Sequence, residues 1–304
     1  MPVYMFPGQG SQRKGMGRGL FDEFPDVTAR ASETLGYSVE KLCRENPNQL
    51  LNETQYTQPA VYVVNALHYM RSTRETGMVP GYAAGHSLGE YNALHAAGVF
   101  DFETGLKLVK KRGEAMGRIE GGAMAAITGM NRTQVLRVLE GSGLTDVEVA
   151  NDNAPTQVVV SGPKPAIVAA QPIFEDWAEG VGYTLLKTSG AFHSKYMAEA
   201  QRQFAAYLQG NDFRFAEPSF PVIANVDAKP YDRSRIETNL IEQITQPVRW
   251  TDTILHLTEL GQEEFTEIGT GRILTALLER IRSGPADRRQ LVQPARAATQ
   301  GNVN

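Results

Sequence analysis

An α/β fold carrying a smaller inserted unit is what the sequence predicts, and three observations predict it. The chain opens on a short apolar run, "VYMF", that stops at Pro7 and Gly8, as a buried strand does before a turn. The stretch "GYAAGHSLGEYNALHAAG" reads as strand, sharp turn and helix. The middle of the chain then runs strand, helix, strand, strand, helix, strand, the βαββαβ order of a ferredoxin-like unit.

The elements follow in chain order. After the first strand, "GLFDEFPDVTARASETLG" has a helical pattern. "TQPAVYVVNALHYMRS" predicts a helix with Pro59 near its first turn, where a missing N–H costs little. "DFETGLKLVKKRGEAMG" predicts a helix N-capped by Asp101. The inserted unit follows as strand "AMAAITG", helix "NRTQVLRVLEGSG", strands "VEVAND" and "QVVVSG" around the turn "NAPT", helix "KPAIVAAQPIFEDWAEG" and strand "YTLLKTSG". These set it at residues 123–190. Beyond it, "SKYMAEAQRQFAAYLQG" predicts a helix, "FPVIANV" and "EEFTEIG" strands, and "ILTALLERIRS" a last helix. The large α/β domain is therefore expected over residues 1–122 and 191–284. Residues 285–304 are polar and rich in Gly, Pro and Gln, and read as a flexible tail or a linker from a longer polypeptide.

Composition narrows the function classes. The chain has 304 residues, 41% of them hydrophobic and 21% charged, which suits a globular protein with a sizeable core. A net charge of −4 gives no basic footprint for nucleic acid or an anionic membrane. One cysteine, Cys43, excludes a disulfide framework and suits a reducing compartment. No apolar run reaches membrane-spanning length, and "MPVYMFPGQGSQ" has no signal-peptide pattern. A cytoplasmic protein is expected.

Chemistry concentrates at Ser87, which has G-x-S-x-G spacing inside the strand–turn–helix. Such a turn exposes a serine hydroxyl and aims backbone N–H groups at a developing oxyanion. Gly85 and Gly89 leave room for it, and Leu88 offers its N–H. A serine needs a base. His86 is its chain neighbour and points elsewhere, and His95 lies two helical turns on. His68 and His256 fall inside helical patterns. His193, in "SGAFHSKYM" where the inserted unit returns to the large domain, is left by elimination, which alone does not separate a base from a structural histidine. The second Gly-rich turn, "FPGQGSQRKG", fits neither phosphate-loop pattern, because Arg13 and Met16 stand where glycine and lysine are needed. It could supply a backbone donor or be a plain turn.

One charge falls on the wrong face. With about 100° per residue, Phe102, Leu106, Leu108, Val109 and Met116 form an apolar arc, and Arg112 lies inside it. A buried guanidinium needs an anion. A structural ion pair and a carboxylate-bearing substrate both fit.

Together, "FPGQGSQ", "GHSLGE", "KRGEAM", "GGAMAAI", "GAFHS", "EQITQPVRW" and "EIGTGRILTALLERI" resemble malonyl-CoA:acyl carrier protein transacylases, in order over residues 3–283. "MFPGQGSQRKGMG" and "TQYTQPAVYVVNALHYM" are most similar to the discrete, trans-acting acyltransferases of polyketide synthases. The resemblance implies a hydrolase-like α/β core with a parallel sheet and a ferredoxin-like insert. It implies that Ser87 is the nucleophile, His193 the general base, and Arg112 the partner of the malonyl carboxylate. Backbone N–H groups of Gln9 and Leu88 would form the oxyanion hole, and the Gln243 carbonyl would orient the histidine. Phe192, before the histidine, goes with malonyl over methylmalonyl selection. The implied reaction is ping-pong transfer from malonyl-CoA to the phosphopantetheine thiol of an acyl carrier protein of a polyketide synthase. No metal or other resident cofactor is implied, and a monomer is expected. The same role in fatty-acid synthesis, an acyl hydrolase acting on carrier proteins, and a non-catalytic docking module are the rival readings.

Overall fold

The opening apolar run forms β1 (Val3–Phe6), buried along its whole length. The computed structural model describes residues 1–284. The stretch expected next as one helix is two, α1 (Leu20–Glu23) and α2 (Pro25–Leu35). Pro25 has no N–H to donate and disfavours helical backbone at Phe24 (φ −126°, ψ 59°), so the helix breaks between them. α3 (Val39–Glu45), capped by Ser38, and a 3-10 segment (Pro47–Asn52) lead into α4 (Thr54–Thr76). α4 starts earlier than expected, so Pro59 falls in its second turn rather than its first. Thr57 secures the added turn by donating its hydroxyl to Leu51 O at 2.7 Å.

β2 (Tyr82–Gly85), a sharp turn and α5 (Gly89–Ala96) follow. A Cβ on Gly85 would lie 2.0 Å from the Gly89 carbonyl carbon, and one on Gly89 2.0 Å from Phe6 O. Glycine at both positions lets the turn close against β1. α6 (Phe102–Gly117) is capped as expected, Asp101 accepting from Thr104 N at 2.7 Å.

The inserted stretch forms β3 (Gly122–Thr128), α7 (Arg132–Gly141), β4 (Glu148–Ala154), β5 (Gln157–Pro163), α8 (Lys164–Glu175) and β6 (Gly182–Leu185). Its strands pair antiparallel in the order β4-β5-β3-β6, the ferredoxin-like arrangement. Strand alternation gives the sheet two jobs. Ala125 and Ile127 pack with Val135 of α7 and Phe174 of α8, whereas Met124 and Ala126 join the main core.

A 3-10 turn (Lys195–Met197) then enters α9 (Ala198–Gln209). β7 (Val222–Ile223), α10 (Ile236–Glu242), α11 (Trp250–Glu259), β8 (Phe265–Glu267) and α12 (Ile273–Ser283) complete the described chain. β7 is shorter than "FPVIANV" suggested because the chain turns back, Ala224 N donating to Lys229 O at 2.8 Å. The four strands outside the insert form a parallel sheet ordered β7-β2-β1-β8. Tyr4, Phe6, Ala83 and Val222 face one apolar cluster; Val3, Met5, Ala84 and Ile223 face another. Helices therefore cover both faces, as a parallel sheet requires. The carboxyl ends of β1, β2 and β7 meet on one edge of this sheet, where open α/β folds bind ligands. Among the described residues no helix is long and apolar enough to cross a membrane. The tail expected over residues 285–304 lies outside the described residues.

Candidate active site

Ser87 occupies the turn between β2 and α5 with φ 50°, a left-handed backbone uncommon for a residue with a side chain. Such a conformation costs on the order of 1–3 kcal/mol and persists where neighbours over-determine it. Asn225, just past β7, supplies that constraint. Its Oδ1 accepts from Ser87 N at 2.7 Å and its Nδ2 donates to Gly85 O at 2.6 Å. The hydroxyl that results stands 2.8 Å from His193 Nε2.

His193 is 4% exposed and also takes a left-handed backbone, φ 58°. Its Nδ1 faces two carbonyls, Gln243 O at 2.8 Å and Gln246 O at 3.1 Å. A carbonyl only accepts, so Nδ1 carries the ring proton and Nε2 keeps a lone pair for the serine hydroxyl. Val248 holds this segment on β4, donating to Ala150 O and accepting from Asp152 N, both at 2.9 Å. Burial first, and then the Arg112 guanidinium, push the His193 pKa down to about 3, against the two carbonyls that favour the proton. The base is therefore neutral at physiological pH. Labelling of Ser87 by a neutral fluorophosphonate is expected to hold its rate from about pH 8 down to about pH 5, instead of halving near the ordinary histidine value of about 6.5. A rate profile centred near that ordinary value would contradict the assignment.

The other nearby histidines have structural partners. His86 Nε2 lies 2.7 Å from Asn153 Oδ1, with its ring against Trp250. His95 packs against Tyr62 and Phe102, with Nδ1 3.3 Å from Phe100 O.

Arg112 is fully buried, and every hydrogen bond it makes goes to a neutral group. Nη1 donates to Gln58 Oε1 at 2.8 Å, and Nε and Nη2 to Gln243 Oε1 at 3.2 and 2.9 Å. Nη2 also reaches Ser87 Oγ at 3.1 Å. The ion-pair alternative left open by the sequence is not what forms: among the described residues Arg112 has no carboxylate within 4.0 Å. Glu90 stands behind Gln243, whose Nε2 donates to it. The Glu90 carboxylate also accepts from Asn225 N at 2.8 Å and Tyr231 Oη at 2.9 Å. Burial pushes its pKa up to about 7, opposed by those donors and by Arg112.

The loop after β1 runs beside the serine turn. A Cβ on Gly8 would lie 2.3 Å from His86 O and 3.6 Å from Leu88 N. Among the described residues the N–H groups of Gln9 and Leu88 donate to no protein group. Leu88 also sits at the start of α5, where the helix dipole is positive. Phe192 is 6% exposed and packs into the main core, its ring close over Gly190. A cleft of about 650 Å³ lies between α7 and the 245–247 segment, lined by Arg132, Leu136, Glu148, His193, Lys195 and Gln246 among others.

Folding thus brings Ser87, His193, Arg112 and Gln243 into one hydrogen-bonded cluster with the Gln9 loop alongside. Sequence reasoning missed Asn225, Glu90, Gln58 and the Gln243 side chain. Glu90 had a readable signal, a charge in an otherwise apolar helix start. Asn225 had none, since its partners are 138 and 140 residues away. The assembly holds a serine hydroxyl, a neutral imidazole, free backbone donors and a buried cation, the parts needed for acyl transfer through a serine ester.

Residues 3–298 match the family model described as acyl transferase domain. The chain is 52% identical, over 93% of its length and 97% of the relative's, to the polyketide biosynthesis malonyl CoA-acyl carrier protein transacylase PksC of Bacillus subtilis strain 168. It is 54% identical to the polyketide biosynthesis protein PksE of the same strain, again over 93% of its own length, but it spans 37% of that longer protein. Among solved structures, the malonyl CoA-acyl carrier protein transacylase of Burkholderia pseudomallei superposes with a TM-score of 0.89 at 51% identity, covering 94% of this chain and 99% of that one.

Proposed function

The chain belongs to the acyl transferase family, and from that premise we propose that it moves a malonyl group from malonyl-CoA to the phosphopantetheine thiol of an acyl carrier protein in polyketide biosynthesis. Arg112 carries the reading. A buried guanidinium whose hydrogen-bond partners are all neutral, 3.1 Å from the nucleophile, is suited to an acyl group that bears its own carboxylate. The identity to relatives whose names include malonyl CoA-acyl carrier protein transacylase supports the same substrate.

In the first half-reaction, His193 Nε2 takes the Ser87 proton as Oγ attacks the thioester carbon. The N–H groups of Gln9 and Leu88 receive the oxyanion, a contribution whose loss typically costs about 3–4 kcal/mol. The tetrahedral species collapses, the CoA thiolate leaves with the proton from His193, and a malonyl ester of Ser87 remains. In the second half, the phosphopantetheine thiol gives its proton to His193 and attacks the ester. Ser87 leaves and recovers its proton. Arg112 holds the malonyl carboxylate in both halves. The Gln243 carbonyl keeps His193 in the useful tautomer, a task elsewhere done by a carboxylate. Phe192 restricts room beside the α-carbon, and one methyl is worth about 1–3 kcal/mol of selection. The protein acts in the cytoplasm as a monomer, with no resident cofactor.

Intact-mass measurement after mixing with malonyl-CoA tests this. A stable malonyl adduct is expected on Ser87, discharged by a carrier protein bearing phosphopantetheine. Release of CoA without an adduct would indicate a hydrolase, and no reaction would leave only carrier-protein docking.

A further inference from the structure

Gln243 is fully buried, and its side-chain amide has two chemically unlike ends. Arginine only donates, so Oε1 must face Arg112. The Ser87 carbonyl only accepts, so Nε2 must face it, and the same Nε2 donates to the Glu90 carboxylate. The amide therefore has one orientation, and Glu90 is the group that ties it from behind. Glu90 is itself immobilised on the far side by Asn225 N and Tyr231 Oη. Three donors converge on this carboxylate from the turn after β7, the segment before α10 and the loop after it.

We propose that Glu90, which touches neither the substrate nor the reacting atoms, positions Arg112 through the Gln243 carboxamide and so sets the preference for carboxylated acyl groups. The proposal rests on the functional reading above and adds a specificity-determining residue to it. An intervening amide is the useful arrangement. A carboxylate placed directly on Arg112 would neutralise it and compete with the acyl carboxylate. Through Gln243, ionised Glu90 polarises Oε1 and orders the guanidinium, while the Arg112 charge stays available to the ligand. Ser87 O also binds Nε2, but the serine turn keeps its own anchor in Asn225, which holds Ser87 N and Gly85 O.

Glu90→Gln keeps size and removes the anion. The new amide must turn its oxygen toward Asn225 N and Tyr231 Oη, leaving its NH₂ against the NH₂ of Gln243. Gln243 must then shift away from that contact, which weakens the hold of its Oε1 on Arg112. The ratio of malonyl to acetyl loading from their CoA thioesters is expected to fall by about tenfold, while fluorophosphonate labelling of Ser87 stays within about twofold of wild type. Tyr231→Phe removes a single hydroxyl from Glu90 and should shift the ratio the same way by about two- to threefold, which decides the matter if Glu90→Gln does not fold. An unchanged ratio in a variant that still labels overturns the proposal. So does an equal loss of malonyl loading, acetyl loading and labelling, since a merely structural residue behaves that way. Failure of the wild-type protein to load malonyl is read separately, and overturns the functional reading together with this one.

Discussion

Ser87→Ala is expected to lower kcat/KM for malonyl transfer by about 10⁴-fold or more, leaving no acyl adduct detectable by mass. The reason is geometric. Among the described residues the hydroxyl at position 87 is the one that both His193 and Arg112 reach, at 2.8 and 3.1 Å. Alanine leaves the neutral base and the backbone donors without an atom to acylate. The turn itself should survive, because Asn225 holds it through backbone groups of Ser87 and Gly85. The melting temperature is therefore expected to change little. His193→Ala should cost nearly as much, and the double variant little more, because the pair acts as one unit. A Ser87→Ala protein that still forms an adduct would place the nucleophile elsewhere.

Arg112→Gln is the second large expected effect. Removing one side of a fully desolvated charge pair typically costs about 2–5 kcal/mol, so malonyl loading should fall by roughly that equivalent. Loading of uncharged acyl groups should fall far less, because the Ser87–His193 contact does not pass through the guanidinium. The variant then gains relative activity toward acetyl-CoA. Competition with mixed CoA thioesters, read by mass on Ser87, gives the ratio directly. Malonyl transfer at the wild-type rate would remove Arg112 from the role assigned to it. The two variants also separate two kinds of loss: Ser87→Ala removes chemistry for every acyl group, and Arg112→Gln removes one class.

Much of this was legible in the chain before it was folded. The glycines around Ser87 announced a close turn, and their missing side chains are where α5 and β1 approach within van der Waals distance. Arg112 announced itself as a charge on an apolar arc, and it is fully buried. The βαββαβ order announced the antiparallel sheet. What was harder to read has a common cause. α3 and α10 are seven residues each, too short for a helical period to stand out. β7 is two residues, held by its neighbour in the sheet rather than by its own composition. Pro25 split a helix whose apolar pattern ran on through it, because backbone chemistry at one residue outweighed periodicity across many.

The divide is between local and distant information. Turn chemistry, caps, strand alternation and the polarity of single positions are properties of neighbouring residues, and the chain carries them openly. Those properties determined the fold class, the serine at the sharp turn and the buried cation. Tertiary structure alone decided which partners those groups would have. Ser87 meets His193 across 106 residues, Arg112 meets Gln243 across 131, and Gln243 meets Ser87 across 156. Hydrogen bonds act only within about 3.5 Å and along set directions. The choice of Glu90 rather than a direct ion pair, and of a backbone carbonyl behind His193, could therefore be made only once the sheet had brought the ends of β1, β2 and β7 together.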